Sequence, residues 1–150
     1  MKLTIELVPS TVWYSNVRSN VSRDEWDRLR TLVYQHANHH CEICGGQGKK
    51  WPVECHEIWE YNDTRRVQRL DKLIALCPMC HQVKHIGLAG IKGNYDIAVA
   101  HLARVNDLSL AAAKKYVADQ FLVWEERSKH DWLLDISALK KYKSDENEGW

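Results

Sequence analysis

Apolar residues recur along this chain with two periods, and the change from one to the other marks its elements. Leu3, Ile5 and Leu7 alternate with polar residues up to Pro9, which predicts a short strand with one buried face. Ser22-Arg23-Asp24-Glu25 has the spacing of a capping box, and Trp26, Leu29, Val33 and Ala37 follow at helical intervals. A helix is therefore expected from Arg23 to Asn38. Val53 to Tyr61 reads as a strand, Asn62-Asp63-Thr64 as a turn, and a second extended stretch leads to Leu76. A short helix is expected to start at Pro78, where proline suits a first helical position, and to end near Gly87. Asn94 is placed to cap a helix carrying Ile97, His101, Leu102 and Val105, and Ser109 one carrying Ala113, Tyr116, Val117 and Trp124. Trp132, Leu134, Ile136, Leu139 and Tyr142 form a last apolar segment, with Lys140, Lys141 and Lys143 on an exposed face and a polar, frayed end from Ser144. No repeat, low-complexity tract or linker divides the chain. The expectation is one α+β domain over residues 1–150, with its chemistry in residues 36–90 and a helical extension over 94–143.

Composition narrows the classes of function. At 150 residues the chain can bury a core of its own. A formal net charge of +1 provides no global field for nucleic acid, so phosphate binding has to come from a local cluster. Seven tryptophans and six tyrosines stand against one phenylalanine. Such rings carry polar handles that need partners when buried; core and rim packing is their ordinary use, nucleotide stacking the other. The N-terminal segment, interrupted by Glu6, does not read as a signal peptide, and no apolar run approaches a membrane span. Five cysteines, four of them in two Cys-x2-Cys pairs, point to metal thiolates in a reducing compartment, with the cytoplasm as the expected location.

The two pairs, Cys41-Glu42-Ile43-Cys44 and Cys77-Pro78-Met79-Cys80, are knuckles whose two-residue gap lets both thiolates face one ion at tetrahedral angles. They predict a structural Zn2+ held by Cys41, Cys44, Cys77 and Cys80. A plain zinc ribbon separates its knuckles by about 15–20 residues. Here residues 45–76 intervene, so a strand, a turn and a second strand are inserted, and the second knuckle opens the helix. The result is a ββα unit pinned by metal. His56 lies in its first strand. His81 and His85, four apart on the helix, share a face as two ligands of one ion would.

Taken together, Cys41-x2-Cys44, Val53-Glu54-Cys55-His56-Glu57-Ile58-Trp59, Leu70 to His81 and Lys84-His85 resemble the HNH endonucleases (ββα-metal nucleases) with two CxxC knuckles. The resemblance covers residues 36–90. It implies a zinc-stapled ββα-metal core and a metal-dependent endonuclease that hydrolyses DNA phosphodiester bonds. His56 would be the general base on water, and His81 and His85 would hold a divalent cation, Mg2+, Mn2+, Ni2+ or Zn2+, that stabilises the charge on the pentacoordinate phosphate. Two positions depart from the family pattern. The residue before the base, usually acidic or histidine, is Cys55, a soft ligand that would join His81 and His85 on zinc, with Glu54 or Glu57 as oxygen donors for a harder ion. Lys72 stands where the family has its middle asparagine and cannot accept a hydrogen bond; Gln68 is a candidate to replace it. Arg65, Arg66, Arg69, Lys72 and Lys84 are placed to position a backbone, with double-stranded DNA the expected partner and a dimer possible through the flanking helices.

Two alternatives follow from the same residues. A catalytically degenerate module of this type would bind nucleic acid or a protein without cleaving anything. A zinc nucleobase deaminase would use Cys55 with Cys77 and Cys80 and leave Cys41 and Cys44 free.

Overall fold

The computed structural model describes residues 1–143, with side chains as far as Tyr142. The polar end expected from Ser144, and the Lys143 side chain, lie outside the described residues. The elements run α1 (Val17–Asn20), α2 (Arg23–His36), β1 (Glu54–Asn62), β2 (Val67–Leu76), α3 (Pro78–Lys84), α4 (Ile86–Ile91), α5 (Tyr95–Asn106), α6 (Leu110–Arg127), β3 (Leu133–Asp135), a 3-10 turn (Ser137–Leu139) and α7 (Lys140–Lys143). The class is α+β with a small three-stranded sheet. None of the described helices is long and apolar enough to cross a membrane.

β1 and β2 form an antiparallel hairpin whose register sets His56 opposite Ile74 and Ile58 opposite Lys72, with a bulge between Ile58 and Trp59. The turn is built by Asn62, whose Oδ1 accepts from the backbone N–H of Thr64 and of Arg65. β3 pairs parallel to β2 through Val67 and Leu133, so the C-terminal apolar segment adds a strand where helix alone was expected. Order β1-β2-β3 makes β2 the central strand. Its residues Leu73 to Leu76 are buried without alternation, as a strand covered on both faces requires.

Each sheet face has its own core. Ile74 and Leu76 pack with Leu3, Ile5, Val83, Ile86, Val99 and Leu102, and so against α3 to α6. Leu73, Ala75 and Leu70 pack with Val17, Leu29, Val33, Leu139 and Tyr142, and so against α2 and the C-terminal turn. Tyr142 Oη accepts from Leu73 N–H at 2.9 Å, which fixes that turn to the sheet.

Residues 3–7 do not form the expected strand. Their alternation still buries Leu3 and Ile5. Their N–H groups, however, go to partners that cannot build a ladder: Asn106 Oδ1 for Leu3, Tyr116 Oη for Ile5 and the Lys84 carbonyl for Glu6. The segment thus lies across α3, α5 and α6 and brings Glu6 inward. α2 matches its expected start, with Ser22 accepting from Glu25 N–H, but stops at His36. Asn38 and His39 then take left-handed backbone and turn the chain toward Cys41. On α5 the buried face is Ala98, Val99, His101, Leu102 and Ala103, while Ile97 faces solvent and Asn94 makes no side-chain cap. The expected helix from Pro78 breaks at His85, which separates α3 from α4.

Candidate functional site

The four knuckle cysteines come together with all sulfurs within 4.8 Å of one another. Cys44 Sγ and Cys77 Sγ are 3.6 Å apart, against about 3.8 Å for the edge of a tetrahedral zinc–thiolate centre. The local chain explains this. Gly45 takes a positive φ of 77° and folds the first knuckle back, so that the Cys41 and Gly46 backbones pair at 2.8 Å. Glu42 ties that knuckle to β2 through both its backbone N–H and its carboxylate, onto Ala75. Cys77 caps α3, its sulfur accepting from Cys80 N–H, with Pro78 in the first turn. Among the thiols alone, the hydrogen bond from Cys80 draws Cys41 down to about 4. Burial first, then the Cys41 charge, push Cys77 up to about 11, and Cys80 moves up as well. One negative charge is thus easily held and four are not, which is the demand a divalent cation answers. The cluster could hold a zinc ion.

His101 was read from the sequence only as a residue of an amphipathic helix. Its Nε2 lies 3.2 Å from Cys80 Sγ, and its Nδ1 lies 3.1 Å from an Arg104 guanidinium nitrogen. Arginine only donates, so Nδ1 accepts and Nε2 carries the hydrogen directed at the sulfur. No local spacing signals this contact, because α5 meets α3 only through the core.

A second cluster joins β1 to the α3–α4 junction. The ligating atoms of His56, His81 and His85 also lie within 4.8 Å of one another. His81 Nε2 and His85 Nε2 are 3.1 Å apart, close to the edge of about 3.3 Å expected for two imidazoles on one zinc-sized ion. His81 Nδ1 is 3.0 Å from Glu54 Oε1, so a hydrogen there faces a carboxylate and Nε2 is left as the basic nitrogen, the arrangement usual for metal-ligating histidine. His85, although open to the cleft, is held below the ordinary imidazole range by the protein crowded around it and then by His56 and His81.

His56 is 4% exposed and faces Glu6. Its Nε2 lies 3.0 Å from Glu6 Oε2, while Glu6 Oε1 takes the Lys84 ammonium at 3.2 Å. Burial works to raise Glu6, but His56 and Lys84 together bring it below its usual value. Burial lowers His56 more than Glu6 raises it. A charged carboxylate beside a neutral imidazole places the hydrogen on Nε2 and the lone pair on Nδ1. Glu6 went unrecognised in the sequence; its only signal was an acid interrupting an apolar run.

Other expected site residues lie elsewhere. Cys55 does not join the histidines: consecutive strand residues point to opposite faces, and its side chain packs with the α2 core near Tyr34 and Arg30. Burial there pushes the thiol up to about 12, against thiolate ligation. The deaminase ligand set is likewise not assembled, since Cys77 and Cys80 meet Cys41 and Cys44 instead. Glu54 faces Nδ1 of His81, the nitrogen turned from the other two rings, and is also bonded by Trp51, while Glu57 accepts from Val17 N–H; neither carboxylate is among the three grouped ligand atoms. Gln68 is fully buried with no hydrogen bond to its amide among the described residues, so it does not pin the His56 strand. Lys84, expected on a duplex-facing surface, is 3% exposed because Glu6 and Thr4 hold its ammonium inside. Arg65 and Arg66 lie at the far end of the hairpin, roughly 20 Å from His56 along β1. Arg66 contacts Asp63 and His130, and Arg69 pairs with Glu60; Arg65 and Lys72 are exposed and make no ion pair among the described residues.

The chain matches no family model, no curated protein and no solved structure, so the reading of this site rests on its own residues.

Proposed function

We propose that the chain is a metal-dependent endonuclease of the HNH type, hydrolysing phosphodiester bonds with His56 as general base. The observation that carries the reading is the pairing of roles within one cluster: a neutral, carboxylate-held imidazole on β1 beside two imidazoles whose Nε2 atoms meet at 3.1 Å. His81 and His85 would hold a divalent cation, whose chemistry when bound is to stabilise the developing charge on the phosphate and on the departing oxygen. His56 Nδ1 takes a proton from water as the water oxygen bonds to phosphorus, and the phosphorus bond to the leaving oxygen breaks. Glu6 keeps the His56 hydrogen on Nε2 through this transfer and favours the imidazolium that forms. The sulfur cluster, which could hold zinc, would tie the Cys41–Cys44 knuckle to the start of α3, the helix that carries His81. In this reading the partner is DNA.

A second reading has one observation in its favour: all three imidazoles lie at ligand distance, so His56 could complete a three-histidine metal site in a module without catalysis. Plasmid incubated with the protein and Mg2+, Mn2+, Ni2+ or Zn2+ separates the two. Nicking that His56→Ala abolishes while the metal content stays the same supports the base. Intact plasmid under every ion, or loss of a bound metal in His56→Ala, supports the module.

A further inference from the structure

The histidine cluster opens on two cavities whose linings differ in kind. One, of about 700 Å³, is bordered by Arg18, Arg23 and Arg30. The other, of about 800 Å³, is walled by Trp13, Trp26, Trp59, Phe121 and Trp124 and also reaches His56, His81 and His85. Arg18, Trp26, Cys55 and His81 border both, so the two meet at His81.

The arginines are not equally spent. Arg30 is paired with Asp27 at 2.9 Å, and Glu54 is taken by His81. Arg18 and Arg23 are exposed and make no ion pair among the described residues. In the aromatic cleft, Trp124 is held by a 2.9 Å hydrogen bond from its indole to the Val8 carbonyl, whereas Trp13 is 66% exposed at the rim.

A base inside a duplex offers neither of its faces to a protein, because both are stacked. An unpaired base offers faces that aromatic side chains stack on, while its phosphates need cations. The volume falls within the range of about 300–1,000 Å³ typical of small-ligand sites. Resting on the nuclease reading, we propose that the substrate is unpaired where it is cut. Its phosphates lie along Arg18 and Arg23, the scissile phosphate sits at the histidines, and the adjoining base stacks in the tryptophan cleft.

Fluorescence anisotropy of a labelled single strand of about 16 nucleotides, against the duplex of the same sequence and with no divalent ion added, tests this. The expected result is single-strand binding tighter by about tenfold or more. Trp13→Ala weakens it by about 5- to 150-fold, as for a lost stacking platform. Tyr14→Ala, equally exposed but outside the cleft, leaves it unchanged. Arg18→Ala with Arg23→Ala reduces the slope of log affinity against log salt by about 1.4, the loss of two single-strand phosphate contacts. Equal or tighter duplex binding, indifference to Trp13→Ala, or a dimer that Trp13→Ala dissociates would overturn the proposal. Plasmid nicking with no such preference removes the cleft alone; absence of any nucleic-acid binding removes the nuclease reading with it.

Discussion

Glu6 Oε2 and His56 Nε2 stand 3.0 Å apart, joining an extended N-terminal segment to a strand fifty residues further along the chain. The same carboxylate neutralises the buried Lys84 ammonium. Its two oxygens therefore have separable duties, one toward the candidate base and one toward the fold.

That separation can be tested. Glu6→Gln should lower the nicking rate by about tenfold or more with little change in KM, because a primary amide no longer favours the imidazolium. It also leaves Lys84 without its counter-charge, at a cost of about 3 kcal/mol. Adding Lys84→Met should restore the melting temperature and leave the rate low. Recovery of activity along with stability would assign Glu6 a purely structural role.

His101 donates toward Cys80 Sγ, and such outer contacts typically contribute about 10- to 100-fold in metal affinity. His101→Phe is expected to keep the helix packed and to lose zinc to a chelating dye at correspondingly lower dye concentrations. Stronger chelation of the wild-type chain should remove one zinc per chain from the cysteines and abolish cooperative melting, since the core around Val83 and Leu102 is contiguous with Cys41, Cys77 and Cys80. Unchanged zinc retention in the variant would show the hydrogen bond to be incidental.

Gly48 is the tightest backbone approach beside the cysteine cluster. A Cβ there would come within 2.7 Å of Pro78 Cδ and also meet the Trp51 carbonyl oxygen, and neither neighbour is a flexible side-chain tip. Gly48→Ala should destabilise by about 2–3 kcal/mol, read as a fall in melting temperature, with a weaker hold on zinc as the loop between the knuckle and β1 is displaced. A melting temperature within a degree of wild type would contradict this packing.

Asp63 receives two hydrogen bonds from Arg127, which also lies over the Tyr61 ring, and this ties the hairpin turn to α6. The Arg127 hydrogen bond holds the Asp63 carboxyl below its usual value of 3.8. Its contribution is therefore fully present above that pH and is lost as pH falls through the lower, folded value. Because Asp63 is 54% exposed, screening limits the contribution to less than about 1 kcal/mol. Asp63→Asn should melt slightly earlier at pH 7 and together with wild type at pH 2; a gap that persists in acid would point to packing instead of charge.

Much of this protein was written in local patterns. Helix α2, the hairpin turn at Asn62, the proline-started α3 and the knuckles at Cys41 and Cys77 follow from spacing, because capping, turn chemistry and tetrahedral ligation act over a few residues. The hydrophobic alternation at Leu3 and Ile5 correctly announced burial and misled about the strand, since a period of two reports which side chains point inward and says nothing about where the N–H groups find partners. The four-residue spacing of His81 and His85 holds although the helix breaks at His85, because the His85 N–H still bonds the His81 carbonyl.

What only the tertiary structure decided are the contacts between residues far apart in sequence. Glu6 reaches His56, His101 reaches Cys80, Lys84 turns inward, and Leu133 finds β2. Residue identity and short spacing determine what an element is and which way neighbouring side chains diverge. Which groups meet across fifty or a hundred residues depends on how the two faces of one central strand are covered, and that packing has no short-range signature.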